Sequence, residues 1–547
     1  MSIARINARR TLQIILLLVG PLLGGCAAGN GWSVRDFGAT GDGKTLDTAA
    51  VNKAIAAASA SGGGTVRFSA GKYLCYSIHL QSNITLQLDQ GATIVAAGTQ
   101  QHSEYDLPEP NPSNLYQDFG HSHWHNSLIW GENLHDVSIL GPGLIDGSNG
   151  LLIFDGFPRP TGRRRRRAAT EPTTEPSQEE ELHPERMPPP GLGNKAISLK
   201  NCNRVIIRDL SVLNGGHFAI LATGVNNMTI DNVTLDTDRD GMDIDCCANV
   251  RISNCTVNSP ADDAIVLKTS YALGSARPTE NVTISNCLVA GSYVEGSVLD
   301  GTFRLFDPLS RQAHGTGRIK LGTESNGDFK NIAISNCIFD RCQGLAIESV
   351  DGSVIENLTA TNLVMRDITT APIFIRLGSR LRGPKGTTTT GAIRHVVLSN
   401  ITATTASSHY AALISGTPGF PIQDVTISDV KLVFPGGGTQ RMATSQPAEK
   451  IATYPEPTMF GWLPAWGFYV RHVDGLELRD IDLTCLTADA RSPLIMSDVN
   501  GIDLAHVTVN GGGDQPVILL QNVQDFSAHQ VHGMADMHVD QVEEGKF

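Results

Sequence analysis

Short segments of one shape recur along the chain. They are NNMTIDNVTL from Asn226, ANVRISNCTV from Ala248, ENVTISNCLV from Glu280, KNIAISNCIF from Lys330, QDVTISDVKL from Gln423 and DGLELRDIDL from Asp474. Each alternates apolar and polar residues, the period of a strand with one buried face. Each also carries Asn or Asp at a fixed offset. The first apolar positions are Val205, Met228, Val250, Val282, Ile332, Leu358, Val396, Val425, Leu476 and Ile502, and the shortest steps between them run from 22 to 26 residues. Longer steps read as the same unit plus an insertion. Such a period, built of short strands without long amphipathic helices, indicates a solenoid. The Leu/Asn framework of leucine-rich repeats is absent. The expected fold class is therefore all-β: a single-domain, right-handed parallel β-helix whose coils stack at about 4.8 Å and turn their apolar residues inward.

Three details follow from that frame. Asn at the turns is expected to form an internal ladder that satisfies buried polar groups. Cys202, Cys255, Cys287 and Cys337 each follow an Asn, and are expected as stacked core residues. Open strand edges invite unwanted pairing, so a cap is expected. The Ala-rich run Val51 to Ala60 reads as a short N-terminal capping helix, stopped by SGGG before the strand TVRF.

Composition narrows the function. Hydrophobic residues are 41% and charged residues 18% of 547, as in globular chains. A net charge of −13 argues against a nucleic-acid binder, which carries a basic face. It leaves room for a polyanionic substrate held by a few local cations. Residues 1–26 read as a signal peptide: Arg5, Arg9 and Arg10 precede the apolar run Thr11 to Leu23, too short to span a bilayer comfortably. LGGC, ending at Cys26, resembles a bacterial lipoprotein cleavage site with Cys26 lipidated; the alternative is plain secretion with cleavage after Ala28. The protein is thus expected to be exported, as a periplasmic or cell-surface lipoprotein or in secreted form, touching membrane only through that anchor. Residues 27–547 are expected to form the β-helix, interrupted at Pro158 to Gly191 by a flexible loop rich in Pro, Arg and Glu. The remaining nine cysteines have neither zinc-site nor disulfide-scaffold spacing.

The stretch DTDRDGMDIDCCANVRISNCTVNSPADD, Asp236 to Asp263, holds seven aspartates. Counting twelve residues on from Val205, Met228 and Val250 reaches His217, Asp240 and Asp262. Equal offsets predict one column on one face, with Asp263 beside Asp262. Carboxylates about one strand spacing apart cannot all ionise freely, so one is held protonated while another stays ionised. Glycosidases use that split. Asp236, Asp238 and Asp245 are assigned mainly to turn chemistry.

DRDGMD, followed after 22 residues by ADDAIVLKTS, resembles the paired motifs of glycoside hydrolase family 28, the polygalacturonase family. FGATGDGKTLDTAAVNKAI resembles the N-terminal segment of pectin-degrading β-helix proteins. The resemblance implies an inverting hydrolase of pectic polysaccharide, with Asp262 as general acid and Asp240 and Asp263 holding the attacking water. It implies neither metal nor organic cofactor; a monomer is expected. Substrate-binding candidates are His217, Lys268, His314, Lys320 and Arg376. His314 stands nearest the family's histidine. Arg376 in IFIRLGSR stands where the family places the Arg-Ile-Lys that binds a substrate carboxylate. The RIK at Arg318 to Lys320 aligns one coil too early. These departures suggest a divergent branch. Two other readings stay open: a pectate-lyase-type enzyme whose carboxylates hold calcium, and a non-catalytic β-helix adhesin or carbohydrate-binding protein.

Overall fold

The computed structural model describes residues 31–98, 104–117, 120–153, 191–291, 293–305 and 315–547. The signal segment with Cys26, nearly all of the Arg-rich insertion and His314 lie outside the described residues. From Trp32 onward the chain coils into one 35-stranded sheet. Each early coil contributes three strands, as in Phe218–Thr223, Asn226–Asp231 and Thr234–Asp236, and each pairs in parallel with its equivalent one coil on. This is a parallel β-helix.

The repeat period locates the coils correctly. Val205 pairs with Met228, Met228 with Val250, Val250 with Val282, and so on through Leu476 with Ile502. All are buried. Cys202, Cys255, Cys287 and Cys337 are also buried, at 1–2% exposure, and behave as small core hydrophobes. The Asn ladder lies elsewhere than expected. Asn281 Nδ2 donates to Asn249 Oδ1, Asn331 to Asn281 and Asn357 to Asn331, at outward-facing bends within the strands and not within the core. These residues have φ near +57° to +59°, a left-handed conformation that Asn tolerates better than most side chains.

The ends are covered. Helix Thr48–Ala60 buries Val51, Ala54, Ile55 and Ala58 at the N-terminal side. Gly62 and Gly63, with φ of +95° and +112°, let the chain turn out of it. At the other end Met537–Lys546 runs antiparallel to Ile518–His529.

The three faces differ. On the second face burial alternates along each strand, as in Asn203–Arg208 and Ala248–Ser253. On the first face every residue of Phe218–Thr223, Asp240–Asp245, Ile265–Thr269, Ile319–Ser325, Leu345–Ser349 and Ile373–Leu377 is buried. Side chains pointing outward there are covered by loops, so these strands behave like those of a sheet packed on both sides.

Candidate active site

The aspartates stand at the N-terminal ends of the first-face strands. Phe218, and not His217, pairs with Asp240. Asp263, and not Asp262, stands beside Asp240 on the next coil, with Gly241 N–H donating to its carbonyl at 3.0 Å. The twelve-residue count slips because the turns differ in length. Three residues separate Thr234–Asp236 from Asp240–Asp245, but four separate Ser211–Leu213 from Phe218–Thr223. Asp262 occupies the tighter position just before the strand, where its carboxylate accepts from the Asp263 N–H at 3.0 Å. Even so, one carboxylate oxygen from each of Asp240, Asp262 and Asp263 lies within 4.8 Å of the other two.

Their surroundings are unlike. Asp263 is buried, yet Lys320 Nζ lies 3.2 Å and Arg318 Nε 2.8 Å from its oxygens. Burial pushes its pKa up, but the two cations outweigh this and hold it below the usual carboxylate value. Asp240 is pushed well above that value, by burial first and then by the charges of Asp243 and Asp262. Asp262 is the most exposed of the three, its side chain 22% accessible, and pairs with Arg239 at 2.5 Å.

Beneath the aspartates lies a second buried network. Lys268 Nζ is 2.9 Å from Asp243, 3.5 Å from Glu324 and 3.9 Å from Asp240. His121, from a segment more than a hundred residues upstream, sets Nε2 against Asp243 at 2.7 Å and also touches Lys268. Burial and Lys268 oppose protonation of His121, but Glu324 and Asp243 raise its pKa overall. On the other side of Asp263, Glu348 is fully buried, 3.6 Å from Lys320 and 4.0 Å from Arg318. Its pKa is pushed up to about 8 by burial, against the pull of those two cations. The connected network therefore has more acids than bases, and burial favours the protonated form at Asp240 and Glu348.

Sequence reasoning missed Asp243, His121, Glu324, Glu348 and Arg239. Asp243 and Arg239 sit inside the DRDGMD motif and could have been weighed. Nothing in the spacing places His121. His217 is buried, its Nδ1 bonded to the Ile153 carbonyl, and it is kept neutral by burial and by the Arg239 charge.

Ile265 pairs with Ile319 and Val266 with Lys320, so the RIK lies on the coil immediately after Asp263, and Arg318 and Lys320 reach that carboxylate. Arg376 is spent differently. Its terminal nitrogens bond Ser415 Oγ at 2.7 Å and the Gly416 and Glu449 carbonyls at 2.8 Å, which fixes an incoming loop. Asp245 is a strand residue that accepts from the Ser270 N–H at 2.7 Å and from its hydroxyl. Asp236 does cap a turn, accepting from the Val298 N–H at 3.1 Å.

Among the described residues, two groups of side chains have the spacing of a metal site: His121, Asp240 and Asp243, and Asp240, Asp262 and Asp263. Each is already neutralised by a side-chain cation, the first by Lys268 and the second by Arg239, Arg318 and Lys320.

Residues 276–453, which contain the RIK strand, match the family described as Glycosyl hydrolases family 28. The likeness to this family is divergent and the match covers about a third of the chain. Residues 191–305 match the right handed beta helix region and residues 31–123 the description Rhamnogalacturonase A/epimerase, pectate lyase-like, so the helix is right-handed. Among similar proteins, a Vitis vinifera protein named "Probable polygalacturonase" is 28% identical over 329 residues, 55% of this chain and 59% of that protein. The match thus spans about three-fifths of its length. The family 28 exopolygalacturonase of Yersinia enterocolitica superposes with a TM-score of 0.58 at 18% identity, covering 86% of this chain and 78% of that one. The exopolygalacturonase of Thermotoga maritima gives 0.56 at 18% identity, covering 82% and 91%. At that identity the likeness speaks for the fold.

Proposed function

We propose that this protein hydrolyses O-glycosidic bonds of pectic polysaccharide with inversion, using Asp240, Asp262 and Asp263 and no metal or organic cofactor. The observation that carries the proposal is the spacing and contrast of the three carboxyls. One oxygen of each lies within 4.8 Å of the others. Two hydrogen bonds of about 2.7–2.8 Å each let one water bridge such a gap. Asp263, held ionised by Arg318 and Lys320, is the base for that water, with Asp240 as its second holder. Asp262, the member nearest solvent, protonates the leaving oxygen.

Burial and the charges of Asp243 and Asp262 favour the protonated form of Asp240 in the ligand-free protein. The mechanism requires a proton on Asp262 once a glycosidic oxygen arrives and Arg239 gives way. Lys320 and Lys268 supply positive charge for an acidic sugar. The exported location implied by the N-terminal segment fits an extracellular polymer.

Release of reducing ends from polygalacturonan and rhamnogalacturonan tests the reading. Asp262→Asn should abolish it while leaving the fold intact. The metal-like spacing favours one rival, a calcium-dependent lyase. Activity that a chelator removes, with an ultraviolet-absorbing unsaturated product, would establish that rival instead.

A further inference from the structure

The first face of the β-helix is walled on both sides of the aspartates. Toward the earlier coils, outward-facing Phe218 and Leu221 are covered by Trp124 and Ala272. Trp124 is fully buried, and its Nε1 donates to Thr223 Oγ1 at 3.0 Å. His121, from the same segment, reaches Asp243. Toward the later coils, outward-facing Ala346, Phe374 and Leu413 are covered by Phe460 and Leu463. These belong to the connection between Ile422–Phe434 and Ala465–Cys485.

That connection is firmly tied. Arg376 holds the Glu449 carbonyl, and Arg471 holds the carbonyls of Pro447 and Ala448 at 2.9 Å. Both guanidinium groups flank the Phe460 ring, at 5.4 and 4.9 Å. The tied segment then runs to the site itself. Glu456 binds Arg318 at 2.6 Å, and the exposed Tyr454 lies over Lys320 with its hydroxyl 3.4 Å from Nζ. Arg318 and Lys320 are the two cations that hold Asp263.

Three strands, those of Asp240, Ile265 and Ile319, separate the strand carrying Phe218 from the one carrying Ala346. At about 4.8 Å per strand the gap between those covered strands is about 19 Å. Tyr454 and Glu456 shorten it further on the Asp263 side. A polymer cannot run through such a notch along the face, but a chain end can enter it.

Resting on the hydrolase reading above, we propose that the site takes the end of a pectic chain rather than its middle, with Tyr454 and Glu456 as the stop that sets how much of the chain enters. The pairing with Lys320 and Arg318 makes the stop suited to a terminal sugar bearing a carboxylate.

The test is the product pattern on polygalacturonan and on end-labelled oligogalacturonides of defined length. Wild-type protein should release one short product size from the first turnovers, while polymer viscosity falls late. Tyr454→Ala with Glu456→Gln keeps the Phe460 anchor and should lengthen or broaden the products, which a merely structural role for the pair would not do. A ladder of intermediate lengths from wild type, lost in Asp262→Asn, overturns the chain-end assignment and leaves the hydrolase reading standing. An unchanged product size in the double variant overturns the role of Tyr454 and Glu456. Release of no reducing ends from any pectic polymer overturns the hydrolase reading, and this inference with it.

Discussion

Asp240 and Asp263 are neighbours on adjacent coils, yet burial and charge send their protons opposite ways. General acid–base groups are worth about 10²- to 10⁴-fold, so Asp240→Asn, Asp262→Asn and Asp263→Asn should each lower kcat/KM by at least about 10²-fold. The depressed pKa of Asp263 has a testable cause. Removing the Lys320 charge in Lys320→Met should raise it, and the acid limb of the kcat/KM–pH profile should move to higher pH. Position of the limb, not its height, is the readout, because the proposed role of Lys320 at an acidic sugar makes Lys320→Met expected to weaken substrate binding too. Glu348 behaves inversely. Its folded pKa of about 8 lies above the ordinary 4.5, so the stability it contributes is complete below about 4.5 and is lost as pH rises toward 8. Glu348→Gln should therefore gain in Tm over wild type as pH rises across that window, and a pH-independent difference would contradict the assignment. At this scale the clustering of Asp240, Asp262 and Asp263 was legible in the sequence because a motif marks it and the repeat places it to within one residue. His121 and Glu348 were not, since each reaches the network through folding alone.

Strands were legible because their alternation is a direct record of burial. The ten reference positions all stack as the period implies, across insertions of different length. Turns were not, because a turn can gain one residue without altering the strand pattern on either side. That single residue moves Asp262 off the Asp240 register and puts Asp263 there. The Asn ladder was foreseen, but alternation says nothing about backbone sign, and the ladder stands at positive φ outside the core. Asn331, at φ +57°, offers a check. A β-branched replacement there should cost about 1–2 kcal/mol, seen as a lower Tm, whereas Asn331→Gly should cost much less because Gly adopts this conformation freely.

As a whole, the described solenoid carries its chemistry on the one face whose outer side is also buried. Runs such as IVLKT, LAIES and IFIRL lack the alternation of the other faces, and that lack is itself a sign of a covered sheet. What covers it comes from distant parts of the chain, the segment with His121 and Trp124 and the one with Tyr454 and Phe460. No local pattern joins those segments to the aspartates. The central claim is that these closely set, unequal aspartates break glycosidic bonds in pectic polymers. It is tested most directly by assaying reducing ends released from polygalacturonan and rhamnogalacturonan by wild type and Asp262→Asn side by side, with circular dichroism to match their folds. The account predicts release by the wild type that the substitution abolishes. Equal release by both proteins, or none from either polymer by well-folded wild type, would contradict it.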